Sequence, residues 1–177
     1  MNSKSFIFLD IDGVLNNRKH FKKMHDKYGG RFFAESMPFN PRSLKNLKRI
    51  VDATNSEIVL TSTWRKDKDC MTVLKARLKE YGLNIYSTVD FDDSMSRSTQ
   101  ISLWLIEHYG HMYYYSDDIG HDIRFKIKCK YIIIDDQIYD LKKCFDRDHI
   151  VKTNYFDGLT YLKTLEAIGK LKRRQKI

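Results

Sequence analysis

Three short apolar runs in this 177-residue chain end in polar groups that the close of a buried strand does not need. Ser5-Phe6-Ile7-Phe8-Leu9 runs into Asp10-Ile11-Asp12-Gly13, and Glu57-Ile58-Val59-Leu60 into Thr61-Ser62-Thr63. Tyr131-Ile132-Ile133-Ile134 runs into Asp135-Asp136. Each run is apolar almost throughout instead of alternating, which is the pattern of a strand covered on both faces. Helical stretches separate the runs. Asn40-Pro41 opens one, with Asn as the N-cap and Pro at the first helical position, and Leu44, Leu47, Ile50 and Val51 give it an apolar stripe. Val73, Leu74, Leu78 and Tyr81 line a second, with Gly82 at its C-terminal cap. Ile101, Trp104, Leu105 and His108 mark a third that stops at Gly110, and Leu159, Leu162, Leu165, Ile168 and Leu171 mark the last. Residues 84–87 and 149–152 read as further short strands. This alternation predicts an α/β fold, a central parallel sheet flanked by helices, in a single domain over 1–177. Two segments fall outside it: a long basic and aromatic connection at 16–39, and a Tyr-rich stretch at 111–130 that suits an extra hairpin.

In an open parallel sheet, ligands bind in the crevice beyond the carboxyl ends of the strands. If the three runs are neighbours, Asp10, Asp12, Thr61, Ser62, Asp135 and Asp136 converge on that crevice. A buried strand that ends in one Asp or Thr can simply cap the next helix, but stacked acids cost stability unless a cation sits among them. Oxygen ligands without His or Cys suit a hard ion, Mg²⁺ foremost. Asp10 and Asp12, two apart on an extended strand, point to the same side. One carboxylate can then bind metal and attack phosphorus while the other serves as general acid and base. Gly13 lets the chain turn away from the strand end. A covalent aspartyl-phosphate splits one hard displacement into two easier ones.

Asp10-Ile11-Asp12-Gly13-Val14-Leu15 resembles the first motif of the haloacid dehalogenase (HAD) superfamily. Thr61, directly after Leu60, resembles the second motif, whose hydroxyl holds the transferring phosphoryl group, and Asp135-Asp136 resembles the acidic fourth. More narrowly, Leu60-Thr61-Ser62-Thr63-Trp64-Arg65 and Asp157-Gly158-Leu159-Thr160 are similar to the HAD domain of Swiss Army Knife RNA repair proteins. The resemblance implies a Rossmann-like HAD fold with a minimal cap, the segment 16–39 serving as flap. It implies a Mg²⁺-dependent phosphatase with Asp10 as nucleophile, Asp12 as general acid/base and Thr61 as phosphoryl clamp. Asp10, the Asp12 backbone carbonyl, Asp135 and Asp136 would hold the metal, with Gly13, Ser62 and Arg65 on the substrate. The third motif is ordinarily a lysine. Here Arg97, opening the helix of Ile101, is the candidate, and Lys126, Lys128 and Lys130 are the runners-up. Trp64 and Trp104 read as packing residues.

Charge bears on the substrate. Lys and Arg number 32 against 23 Asp and Glu, a net +9 that favours polyanionic partners. The resemblance to RNA repair proteins implies a phosphorylated nucleic-acid end as substrate, and the charge agrees with it; a nucleotidase or small-metabolite phosphatase is the alternative. An inactive nucleic-acid-binding module on the same fold is the rival of another class. Lys19, Lys22, Lys23, Lys27 and Arg31, with Phe21, Tyr28, Phe32 and Phe33, form either a strip for a nucleic-acid strand or a flap helix whose aromatics pack on the body. Cys70, Cys129 and Cys144 lack metal or disulfide spacing, and no apolar stretch approaches the length of a membrane span. The expectation is a soluble cytoplasmic protein without a membrane or an obligate protein partner.

Overall fold

The computed structural model describes residues 4–29, 39–90, 92, 94–117 and 120–173. Five strands form one parallel sheet: β1 (Ser5–Leu9), β2 (Glu57–Leu60), β3 (Ile85–Thr88), β6 (Lys130–Asp135) and β7 (Ile150–Lys152). Their order across the sheet is β3-β2-β1-β6-β7, so the first strand of the chain lies in the middle. Successive side chains of a strand point to opposite faces, and β1 shows the result. Ile7 and Leu9 join one core with Leu44, Leu47 and Ile50 of α2 (Pro41–Thr54), Leu74 and Leu78 of α3 (Lys68–Glu80) and Leu171 of α5 (Tyr161–Lys172). Phe6 and Phe8 join the other, with Ile101, Trp104 and Leu105 of α4 (Arg97–Tyr109). Trp104 meets both phenylalanines edge-on, at 5.2 and 5.3 Å between ring centroids, so it is a core residue. The sheet is apolar on both faces because both faces are covered.

Local sequence explains where the helices begin and end. At the start of α2 the Asn40 carboxamide oxygen accepts from the Arg42 amide at 2.9 Å, with Pro41 in the first turn. The turn after α3 closes with the Leu83 amide donating to the Leu78 carbonyl at 3.0 Å, across Gly82 at φ +66°. The last helix departs from the expected stripe. Leu162, Leu165 and Ile168 recur every three residues, a spacing that drifts around a 3.6-residue helix. Helix α5 therefore buries Thr164, Ala167 and Leu171, and leaves Leu162 76% and Leu165 48% exposed.

Within 16–39, helix α1 (Arg18–Tyr28) buries none of its residues. Phe21 and Tyr28 are 36% and 51% exposed, and Arg31, Phe32 and Phe33 lie outside the described residues. Strands β4 (Gly110–Asp117) and β5 (Gly120–Ile127) pair antiparallel as a separate two-stranded sheet, one residue earlier at its start than the 111–130 stretch expected to hold a hairpin. Among the described residues no helix is long and apolar enough to cross a membrane.

Candidate active site

The register of the sheet builds the site. Leu9 pairs with Leu60 on one side and with Ile134 on the other, so the next residues, Asp10, Thr61 and Asp135, fall side by side at the carboxyl ends of three adjacent strands. The backbone holds them there: the Asp10 amide donates to the Ile134 carbonyl at 3.1 Å and the Thr61 amide to the Leu9 carbonyl at 2.9 Å. One carboxylate oxygen from each of Asp10, Asp135 and Asp136 lies within 4.8 Å of the others. Asp135 is 0% exposed and Asp10 is nearly as buried. Burial pushes the Asp135 carboxyl up to about 6; Arg97 opposes that rise and Asp10 adds to it. Asp136 is raised too, by burial first and then by Asp10.

Arg97 enters this cluster from the first turn of α4. The Ser96 hydroxyl caps that helix by accepting from the Thr99 amide at 3.2 Å. Asp140 braces it by accepting from the Ser98 amide at 2.8 Å and from the Ser98 hydroxyl at 2.9 Å. The Arg97 guanidinium donates to Asp135 and stands 3.3 Å from an Asp10 oxygen. Burial opposes its charge, but the two carboxylates outweigh that and hold its pKa above the ordinary arginine value. The lysine runners-up lie elsewhere. Lys130 pairs with Ser5 at the opposite end of β1, Lys126 belongs to β5, and Lys128 follows that strand.

Asp12 departs from the cluster. Its carboxylate accepts from the Trp64 indole at 3.0 Å and from the Asn16 carboxamide at 2.8 Å. Partial burial raises its pKa, and the Trp64 hydrogen bond works against that rise. Trp64 reads from its sequence position as a packing residue. It does pack, tilted against Phe39 at 5.3 Å, but its N–H is aimed at Asp12. The one available signal is chemical: a buried indole N–H needs an acceptor, and Trp64 lies three residues after Thr61 at the strand end that carries the site.

The remaining expected residues divide. Thr61 and Ser62 are buried beside the acids, and the Thr61 hydroxyl has no hydrogen-bond partner among the described residues. A buried hydroxyl without a partner is costly, and such atoms mark places where a ligand completes the bonding. Gly13 sits at φ +70°, and a Cβ there would lie 2.4 Å from the Asp136 carboxyl carbon. Its glycine lets Asp136 approach the turn. Arg65 is held within the fold. Its side chain is 6% exposed; it donates to the Thr61 and Ser62 carbonyls at 3.1 Å each and to Gln100 at 2.8 Å. The short 3₁₀ turn Thr63–Lys66 folds the guanidinium back on its own chain. Arg65 thus ties the end of β2 to α4.

The donor set fits a hard divalent cation. Oxygens that share an octahedral Mg²⁺ at about 2.1 Å lie roughly 3–4 Å apart, close to what the three carboxylates already span. Three carboxylates beside one guanidinium also leave two negative charges, which a divalent ion balances. A family model described as the HAD domain in Swiss Army Knife RNA repair proteins matches residues 6–163. No curated protein and no solved structure matches the chain.

Proposed function

The chain belongs to the family of HAD domains found in Swiss Army Knife RNA repair proteins, and on that premise we propose that it is a Mg²⁺-dependent phosphatase acting on phosphorylated nucleic-acid ends. The observation that carries this reading is Asp10 at 3.3 Å from Arg97 and next in register to Thr61, whose hydroxyl has no hydrogen-bond partner among the described residues. Asp10, Asp135, Asp136 and the Asp12 carbonyl would hold Mg²⁺, which would offset the phosphate charge that repels an anionic nucleophile. Asp10 forms a bond to phosphorus as the bond to the leaving oxygen breaks, and Asp12 gives that oxygen its proton. Asp12 then takes a proton from water, whose oxygen attacks the aspartyl-phosphate and frees inorganic phosphate and Asp10. Thr61 donates to a phosphoryl oxygen, Ser62 stands beside it, and Arg97 screens the charge gathering at Asp10.

The test is phosphate release from end-phosphorylated oligonucleotides and from mononucleotides, with Mg²⁺ and with EDTA. Metal-dependent release that favours oligonucleotides supports the reading. A preference for mononucleotides moves the substrate to the nucleotidase class, and release that persists in EDTA removes the metal from the mechanism.

Two further outcomes are expected. Trp64→Phe keeps most of the packing against Phe39 but drops the hydrogen bond that orients Asp12. Its kcat should fall about tenfold with KM nearly unchanged, since proton transfer is impaired and binding is not. Steady-state kinetics beside a melting curve check this, and an unchanged kcat would make Trp64 a packing residue alone. The second concerns pH. A carboxyl raised to about 6 from its ordinary 3.8 stabilises the metal-free fold below the lower value, and that contribution is lost as pH rises through the upper one. Mg²⁺ needs the ionised form. Saturating Mg²⁺ should therefore raise Tm by about 5–10 °C at pH 7.5 and much less at pH 5. Equal rises at both pH values would separate Asp135 from the metal.

A further inference from the structure

A groove of about 420 Å³ opens between the amino ends of α2 and α5, within the roughly 300–1,000 Å³ of ordinary ligand pockets. It is built on the loop that follows Asp12: the Asn40 amide donates to the Leu15 carbonyl at 2.8 Å and the Leu159 amide to the Val14 carbonyl at 2.9 Å. One loop thus carries Asp12 at its start and seats the groove further on. Four cations line the groove, Lys19, Arg42, Lys45 and Arg49, against one carboxylate, Asp157, which lies 3.7 Å from Lys19. Arg42 and Lys45 are exposed and form no ion pair among the described residues. Both helices point their amino ends here, and neither has an acidic residue in its first turn, so the positive ends of their dipoles are not offset locally.

A second observation is independent of charge. Ser43 lines the groove and is 1% exposed, yet its hydroxyl has no hydrogen-bond partner among the described residues. Tyr161 is 55% exposed, with the Arg49 guanidinium 5.4 Å from its ring centroid. An aromatic face beside a cluster of cations is how proteins hold a single nucleic-acid strand: stacking for a base and charge for the backbone.

We propose that this groove is a second anion site, which seats an internal phosphodiester of the single strand whose phosphorylated end is hydrolysed beside Asp10, with Tyr161 under a base. This rests on the polynucleotide reading above and adds to it a location and a set of residues. Arg42 and Lys45 neutralise the backbone, Ser43 donates to a phosphate oxygen, and the two helix ends add to the local positive potential.

The test uses the full chain carrying Asp10→Asn and a fluorescein-labelled, end-phosphorylated single-stranded oligoribonucleotide, with binding read by anisotropy across a salt series. Arg42→Ala with Lys45→Ala should weaken binding about tenfold at low salt and flatten the logarithmic salt slope by about 1.4, near 0.7 for each phosphate that is no longer neutralised. Ser43→Ala should weaken binding about threefold, the worth of one hydrogen bond, without lowering Tm, because it removes a hydroxyl that pairs with nothing among the described residues. Lys75→Ala, the loss of an exposed cation on α3, is the control for charge alone. If the double variant binds no worse than Lys75→Ala, or if its salt slope is unchanged, the groove is not the site. Turnover is read separately. A protein that binds through the groove and releases no phosphate refutes the catalytic reading alone, whereas one that hydrolyses mononucleotides and binds no oligonucleotide refutes the groove.

Discussion

Asp10→Asn is expected to reduce phosphate release by about 10⁴-fold or more, the scale of losing a covalent nucleophile. The amide is close in shape to the carboxylate but has no anionic oxygen to attack phosphorus. The substitution also separates catalysis from folding. Asp10 is buried among Asp135 and Asp136, so neutralising it removes one of three mutually repelling charges. In EDTA the variant should melt at or above the wild-type temperature, while its stabilisation by Mg²⁺ shrinks because a ligand has been weakened. Single-turnover phosphate release and thermal melts on one preparation check both halves. Release within tenfold of wild type would exclude Asp10 as the nucleophile. A large fall in Tm would mean that the attraction between Asp10 and Arg97 outweighs the repulsion.

Arg97→Ala should have the opposite effect on stability. It leaves Asp135, fully shielded from solvent, without the cation that touches it. Removing one partner of a buried pair costs about 3 kcal/mol or more, roughly 6–12 °C of Tm for a chain of this size. Activity should fall with it, since Arg97 is placed to screen the charge at Asp10. Arg97→Lys should recover part of the stability, because a point charge keeps the attraction but not the planar fork. Excess Mg²⁺ should recover part of the Arg97→Ala loss by supplying positive charge to the same carboxylates. A wild-type Tm for Arg97→Ala would show that the Gln137 amide, which donates to Asp135 at 2.8 Å, satisfies that carboxylate by itself.

The strands and their parallel sense were legible from short-range patterns, whereas their order across the sheet came from the structure. A short apolar run with no alternation fits a doubly covered strand, and strands that alternate with helices fit a parallel sheet. The acids at the strand ends followed from the same runs. What stayed hidden depends on direction. Trp64 and Arg65 are neighbours on a 3₁₀ turn, and nothing in their order tells that one aims its N–H at Asp12 while the other folds back onto Thr61 and Ser62. Arg97 could be picked out by its place at a helix start, but its aim depends on Asp140, which braces Ser98 of that helix from 42 residues further along the chain. Of the apolar residues expected on the last helix, Leu171 and Ile168 reach the core while Leu162 and Leu165 do not, because a three-residue repeat does not stay on one face.

The central place of β1 has a consequence for how the molecule can fail. Slipping its pairing with β2 or β6 by one residue would turn Phe6 and Phe8 toward the core now filled by Ile7 and Leu9, and would carry Asp10 out of line with Thr61 and Asp135. Misalignment that spoils catalysis therefore spoils packing as well. Strand slippage has no route to a well-packed but inert molecule, so each chain that folds cooperatively should carry a correctly assembled crevice, and activity per folded molecule should not vary between preparations.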